Sequence, residues 1–299
     1  VGYPIAQLAK REPEEVAYLL LHRRLPTADE LRTFQQELTR RRGLDPRVVN
    51  ALRALPREGH PMQWLISGLS VLGMTTGTGN WEEDALNVIA LAPELVAAVY
   101  RIRSGWGDPI PANMDLGLVE NFVHMLGVPD ADPSQLVGIL RTFYVLHMDH
   151  GGGNLSTFTG KAVASGHADM YTSLSAAMCG LSGPLHGRAN QDCLNFVREV
   201  GTADDEAVET FVRERLTSGG KIFGFGHAVL RVEDPRATVQ YAVGEAFCPD
   251  DPLFNTARTL RRVAVKVLRE MPKVSNPYPN VDAVSGSLLN AAGLVDSDY

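Results

Sequence analysis

Cysteine is scarce, with Cys179, Cys193 and Cys248 the only three in 299 residues. An odd number without Cys-x-x-Cys spacing indicates neither a disulfide framework nor a zinc site, and predicts a reducing compartment. Positive charge is also short, with 28 Lys and Arg against 35 Asp and Glu and a net charge of -7. That balance argues against a general binder of nucleic acid or of an anionic membrane, so an anionic ligand must be met by local clusters of Arg and His. No unbroken run of about 18 apolar residues occurs, so no membrane span is expected. Strand-like alternation, internal repeats and low-complexity tracts are missing too.

What is present is helical. Hydrophobic residues make up 44% of the chain and mean hydropathy is -0.07, as in a globular protein with room for one large or two ordinary domains. Glu12-Pro13-Glu-Glu15 opens a helix that Leu25-Pro26 ends. Thr27-Ala-Asp-Glu30 is a capping box for a second, whose Leu31, Phe34 and Leu38 recur at helical spacing up to Arg40-Arg41-Arg42. That basic triplet reads as a solvated helix end. Further helices are expected from Asp45-Pro46 to Leu55, Pro61 to Gly73, Trp81 to Arg103 with a break at Pro93, Leu116 to Leu126 and Pro133 to Leu146. Gly160 to Leu181, dense in Ala, Ser and Gly, suits one closely packed central helix. Asp192 to Val200 and Asp204 to Leu216 follow, and helical patterns resume after Asp234-Pro235, interrupted at Pro249 to Pro252. The fold class is mainly α.

Two histidines sit on glycine-rich turns, in Gly183-Pro-Leu-His186-Gly and in Gly224-Phe-Gly-His227. Glycine permits tight turns and close approach to a ligand, and imidazole is the side chain whose charge is most easily set near neutral pH, so both are candidates for proton transfer or carbonyl polarisation. Asp282 follows Asn276-Pro-Tyr-Pro279 among apolar neighbours, a setting that suits a poised base. Read alone, Asp282 would be a helix N-cap, Arg236 a surface partner of Asp234, and His150 a buried hydrogen-bonded residue. His147-x-Asp149-His150 lacks a third ligand of regular spacing, so no metal is expected. Gly151-Gly-Gly-Asn154 lacks the Lys-Ser/Thr of a P-loop, and Gly224-Phe-Gly-His227 lacks the third glycine of a dinucleotide fingerprint.

Four stretches in order carry a resemblance: His147-Met-Asp-His150-Gly-Gly-Gly-Asn154, Gly183-Pro-Leu-His186-Gly, Gly224-Phe-Gly-His227 running to Asp234-Pro-Arg236, and Pro279-Asn-Val-Asp282. Together they resemble the signature segments of type I citrate synthase, in the branch that includes the mitochondrial enzymes. The resemblance implies the all-helical citrate synthase fold, with a large domain at residues 1–186, a small one at 187–285, a return to the large domain at 286–299, and the active site in the cleft between them. It implies an acyltransferase of the tricarboxylic acid cycle that condenses acetyl-CoA, a substrate rather than a cofactor, with oxaloacetate. Asp282 would be the base, His186 the donor to the thioester oxygen, and His227 the group that polarises the ketone. His150, Asn154 and Arg236 would hold oxaloacetate. Leu185, Lys221, Ile222, Gly224, Phe225, Gly226, Arg231 and Asn280 would surround CoA.

No cofactor, metal, nucleic acid or membrane partner is implied. A homodimer is, in the cytoplasm or alternatively the mitochondrial matrix. The family pattern continues beyond the Asn-Val-Asp segment and before Gly2, so the chain reads as shortened at both ends. A protein limited to Val1–Tyr299 is expected to bind oxaloacetate weakly and turn over little, for want of further arginines. Two other readings stand beside this one: a 2-methylcitrate synthase using propionyl-CoA, and a non-catalytic CoA-binding or scaffold homologue.

Overall fold

The structure is a computed structural model that describes residues 2–149 and 151–296. Fifteen helices and no strand are found among the described residues. The first eight are α1 (Ile5–Leu8), α2 (Pro13–His22), α3 (Ala28–Arg40), α4 (Pro46–Arg53), α5 (Pro61–Thr76), α6 (Trp81–Ser104), α7 (Leu118–Leu126) and α8 (Pro133–His147). The rest are α9 (Leu155–Ala164), α10 (Met170–Leu181), α11 (Ala189–Val200), α12 (Asp205–Thr217), α13 (Pro235–Phe247), α14 (Pro252–Arg269) and α15 (Asp282–Ala291).

Their starts follow from local chemistry. The dipeptide Asp-Pro opens four of them, at Asp45, Asp132, Asp234 and Asp251. Each time proline fills the first helical position, where a missing N–H costs nothing, and the aspartate carboxylate accepts a backbone N–H of the first turn. The Thr27–Glu30 capping box closes both ways, Thr27 Oγ1 accepting from Glu30 N and Glu30 from Thr27 N.

Helix α6 organises the interior, because its residues enter all three hydrophobic clusters. Ala97 and Tyr100 join the largest, which runs on to Ala292; Leu91, Leu95, Ala98, Val99 and Ile102 meet α4, α5 and α10; Ala90 packs with Ala17, Tyr18, Phe34 and Leu38. Its length and hydropathy would suffice to cross a bilayer, yet most of it is buried inside the protein, which is how a helix apolar on all sides is accommodated. Pro93 does not break it, since contacts on every side hold the helix through one missing hydrogen bond. The two buried acids of α6 are met by loops: Asp84 accepts from Thr78 and Gly79, and Glu94 from the N–H groups of Gly43 and Leu44.

The stretch from Gly160 to Leu181 is two helices rather than one. Asp169 Oδ1 caps α10 by accepting from Thr172 N, and His167 at φ 62 turns the chain back. The small residues serve the hairpin so formed. A Cβ at Gly160 would lie 3.1 Å from that of Ala177, so α9 and α10 approach closely. Helix α11 starts at Ala189, earlier than the expected Asp192, directly after the turn that carries His186.

Candidate functional site

Two irregular segments are stitched together beside the start of α15. Asn280 N donates to Gly224 O at 2.9 Å, Gly226 N to Tyr278 O at 2.9 Å and Asp234 N to Pro279 O at 3.2 Å, around one antiparallel bridge between Phe225 and Pro279. Side chains reinforce the seam, Asn280 Nδ2 donating to Gly226 O and Asn276 Nδ2 to Leu230 O. Gly224 has φ 80, and a Cβ there would meet Cys193 Sγ at 2.7 Å and Ala283 Cα at 2.8 Å, so the close approach demands glycine. Asp282 is the first residue of α15 rather than its N-cap, which is Val281. Its N–H is taken by Asn280 Oδ1 at 3.0 Å.

The two imidazoles are held in opposite tautomers. His186 lies on the turn between α10 and α11, where its Nε2 accepts the N–H of Ser156 at 3.2 Å and contacts Ser156 Oγ at 2.9 Å. A backbone N–H can only donate, so Nε2 carries the lone pair and the neutral ring has its proton on Nδ1. Ser156 Oγ also lies 2.8 Å from Asn154 Oδ1, so its one proton is shared between that oxygen and Nε2, and Asn154 caps α9. In His227 the roles reverse: Nδ1 accepts from Val229 N at 3.0 Å and Leu230 N at 2.9 Å, so the neutral ring presents Nε2–H.

A cleft of about 510 Å³ collects much of the expected site. Its lining includes Leu185, His186, Lys221, Ile222, Gly224, Phe225, Asn280 and Asp282. A second cavity of about 420 Å³, on the α8 and α11 side, shares Asp282 with it and is also lined by His147, Arg188 and Asn190. Asn154, Gly226, His227, Arg231 and Arg236 line neither. Gly226 serves the seam, and Arg231 is exposed, with Nη1 donating to the carbonyls of His227, Ala228 and Leu230. Arg236 grips Asp234, with Nη2 donating to Oδ2 at 2.7 Å and Nε to Oδ1 at 3.0 Å, and its Nη1 has no partner among the described residues. Burial raises the Asp234 carboxyl, but the hydrogen bonds from Arg236, its charge and that of nearby His227 outweigh this and hold it below the ordinary value. His150 lies outside the described residues. Among those described, no group of three His, Cys, Asp or Glu gathers as a metal would require.

Three residues beyond the expected set support the site. Ser156 holds His186, Asn276 ties the His227 loop, and Cys193 packs under Gly224, its thiol pushed up by burial and by the charge of Asp282. The only sequence signal for Ser156 is the cap pattern Asn154-x-Ser-Thr157. Cys193 carries none, because its neighbours come from distant segments.

A family model described as "Citrate synthase, C-terminal domain" matches residues 1–297. "Citrate synthase 4, mitochondrial" of Arabidopsis thaliana is 39% identical over 316 residues, covering 99% of this chain and 66% of that protein. "Citrate synthase, mitochondrial" of Citrus maxima is 39% identical over 306 residues, covering 96% of this chain and 64% of that protein. The chain thus spans just under two thirds of the length of these plant relatives. Among solved structures, citrate synthase from Pyrobaculum aerophilum superposes with a TM-score of 0.85 at 31% identity, covering 100% of this chain and 77% of that one. The ternary complex of carboxymethyl coenzyme A and oxaloacetate with citrate synthase from Thermoplasma acidophilum gives 0.83 at 26% identity, covering 98% of this chain and 77% of that one.

Proposed function

This chain belongs to the citrate synthase family and has its all-helical fold, and from that premise we propose that the protein condenses acetyl-CoA with oxaloacetate and hydrolyses the citryl-CoA thioester to citrate and CoA. The observation that carries the reading is the shared cleft. His186 and Asp282 line it together with the 221–225 loop, and His227 stands on the segment stitched to the start of α15.

In this scheme the Asp282 carboxylate takes a proton from the acetyl methyl group while His186 Nδ1–H donates to the thioester oxygen as it turns negative. A methyl next to a thioester is a very weak carbon acid, so base and oxygen donor must act together. The resulting enol carbon attacks the ketone of oxaloacetate, and His227 Nε2–H delivers a proton to the ketone oxygen. Water then cleaves the thioester and CoA leaves as the thiol. Arg236, with Asn154 and His150, meets oxaloacetate through the planar fork that suits a carboxylate. The glycine-rich 221–226 loop, Leu185, Asn280 and Arg231 surround CoA. The reaction uses no cofactor or metal.

The cleft lies between a large domain, residues 1–186 and 286–299, and a small one, residues 187–285, and closure about that boundary excludes water from the enol. The protein acts as a homodimer, which would cover exposed Met74 on α5 and exposed Leu155 and Phe158 on α9. Relatives named mitochondrial favour the matrix over the cytoplasm, and with it the tricarboxylic acid cycle.

A thiol-release assay on the full-length protein with acetyl-CoA and oxaloacetate tests the reading against Asp282→Ala. Loss of a positioned base is expected to cost about 10²- to 10⁴-fold in turnover. CoA release no faster than in the variant would leave only a non-catalytic homologue. Faster turnover of propionyl-CoA than of acetyl-CoA would make the protein a 2-methylcitrate synthase.

A further inference from the structure

A second cleft, of about 620 Å³, shares no lining residue with the one around Asp282. It lies between α3 and the 114–118 segment, and one wall is a single stripe of α3: Arg32, Gln35, Gln36, Thr39 and Arg40. That spacing puts all five on one helix face, and all five side chains bring hydrogen-bond donors.

The basic triplet at the end of α3 divides three ways instead of forming one solvated end. Arg41 pairs with Glu37 and Glu83 and donates to Asn87 Oδ1. Arg40 must share Glu37 with it. Arg42 is half-buried in the cleft lining, donates from Nη1 to Asn113 O at 2.8 Å, and has no carboxylate partner among the described residues. Burial pushes its pKa down, against the more distant charges of Glu94 and Glu14. An arginine taken partly out of water with a carbonyl but no carboxylate in contact is costly, and an arriving anion would offset that cost.

Two carboxylates, Glu14 and Asp115, also line the cleft, but neither forms a salt bridge with Arg42 among the described residues. Glu14 Oε1 accepts from Leu118 N at 3.0 Å, and Asp115 is exposed on the rim. Arg32 is paired with Asp29, but both side chains are exposed, and pairs of that kind contribute little and exchange readily. Arg32 and Arg40 stand eight residues apart, about 12 Å along the helix, so the stripe offers room for more than one anionic group.

We propose that this cleft binds a small phosphate-bearing polyanion, with the free Nε and Nη2 of Arg42 forking one anionic group and the Arg32–Arg40 stripe holding the rest. The site is independent of the reaction proposed above.

Titration calorimetry of the full-length protein with pyrophosphate tests it. Wild type is expected to bind one pyrophosphate per chain, and Arg42→Gln to bind it at least about tenfold more weakly, since a bidentate charged pair is lost. Lys221→Ala, in the other cleft, should change the affinity by less than about twofold. Gln36→Leu, on the exposed wall where folding is not at stake, should weaken it severalfold, and amide exchange across residues 114–118 should slow when pyrophosphate is added. No binding by wild type, unchanged binding in both Arg42→Gln and Gln36→Leu, or loss in Lys221→Ala instead would each overturn the proposal.

Discussion

The tripeptide Asp-Pro-Arg occurs twice in helix-opening positions, at Asp45-Pro46-Arg47 on α4 and Asp234-Pro235-Arg236 on α13, and the two copies have nearly the same geometry. In each, aspartate Oδ1 accepts the arginine N–H, at 2.8 and 2.9 Å, the arginine Nε donates to the same oxygen at 3.0 Å, and Nη2 donates to Oδ2 at 2.7 Å. They differ in where they lie. The side chains of Asp45 and Arg47 are 25% and 70% exposed, against 1% and 24% for Asp234 and Arg236. One copy is a cap at the surface. In the other the aspartate is buried, near His227, and its N–H links it to the segment that leads to Asp282. Nearly identical local chemistry thus ends in different surroundings, one copy solvated and the other short of water and close to a second ionisable group.

Substituting the arginines should separate the copies most widely. Losing one partner of a charged hydrogen-bonded pair costs about 2–5 kcal/mol, so Arg236→Ala is expected to lower kcat/KM for oxaloacetate by about 30- to 4,000-fold, at about 1.4 kcal/mol per decade. Arg236→Lys should recover little of this, because an ammonium lacks the planar fork. Steady-state kinetics of Arg47→Ala should match wild type; a comparable loss there would break the contrast.

Substituting the aspartates should give a smaller gap, read in stability. Asp234→Asn leaves a largely buried guanidinium without its anion and is expected to cost about 1–3 kcal/mol by chemical denaturation, reduced from the fully buried case because Arg236 keeps some solvent. Asp45→Asn keeps a good cap at an exposed site and should leave the denaturation midpoint unchanged.

Acid should expose the smallest difference. Hydrogen bonds from Arg47 hold the Asp45 carboxyl at about 2, and Asp234 is likewise held below the ordinary value despite the raising effect of its burial. A carboxyl depressed in the folded state adds stability that is complete above its unfolded pKa, about 3.9, and fades as pH falls through the folded value. The Tm gap between wild type and Asp234→Asn should therefore close on acidification below about pH 4, whereas the Asp45–Arg47 pair is screened by solvent and adds little stability at any pH, so wild type and Asp45→Asn should stay nearly together from pH 7 downward. A gap at Asp234 that widens with acid would mean its carboxyl is not depressed.

Much of the fold can be read along the chain, because caps and prolines act within four residues. Asp132-Pro133, Asp251-Pro252 and the Thr27–Glu30 box each mark a helix start in the right place. The misreadings came where burial overrides local preference, as at Pro93, or where a polar turn hides in a run of small residues, as at Ser165 to Asp169. In the site, the motif residues and their order are legible. The link from Ser156 to His186 is not, since it joins positions thirty apart through a backbone N–H that no side-chain pattern encodes.

The sequence by itself determined where the Asp-Pro and capping-box helices begin, that two histidines sit on glycine turns, and that Arg236 can pair with Asp234, because those are interactions between near neighbours in a stiff chain. Only the tertiary structure decided which tripeptide is buried, which nitrogen of each imidazole keeps its proton, and that Asp282 opens on the cleft instead of capping its helix. Each of these depends on which distant groups displace water from around a side chain, and that is a property of packing.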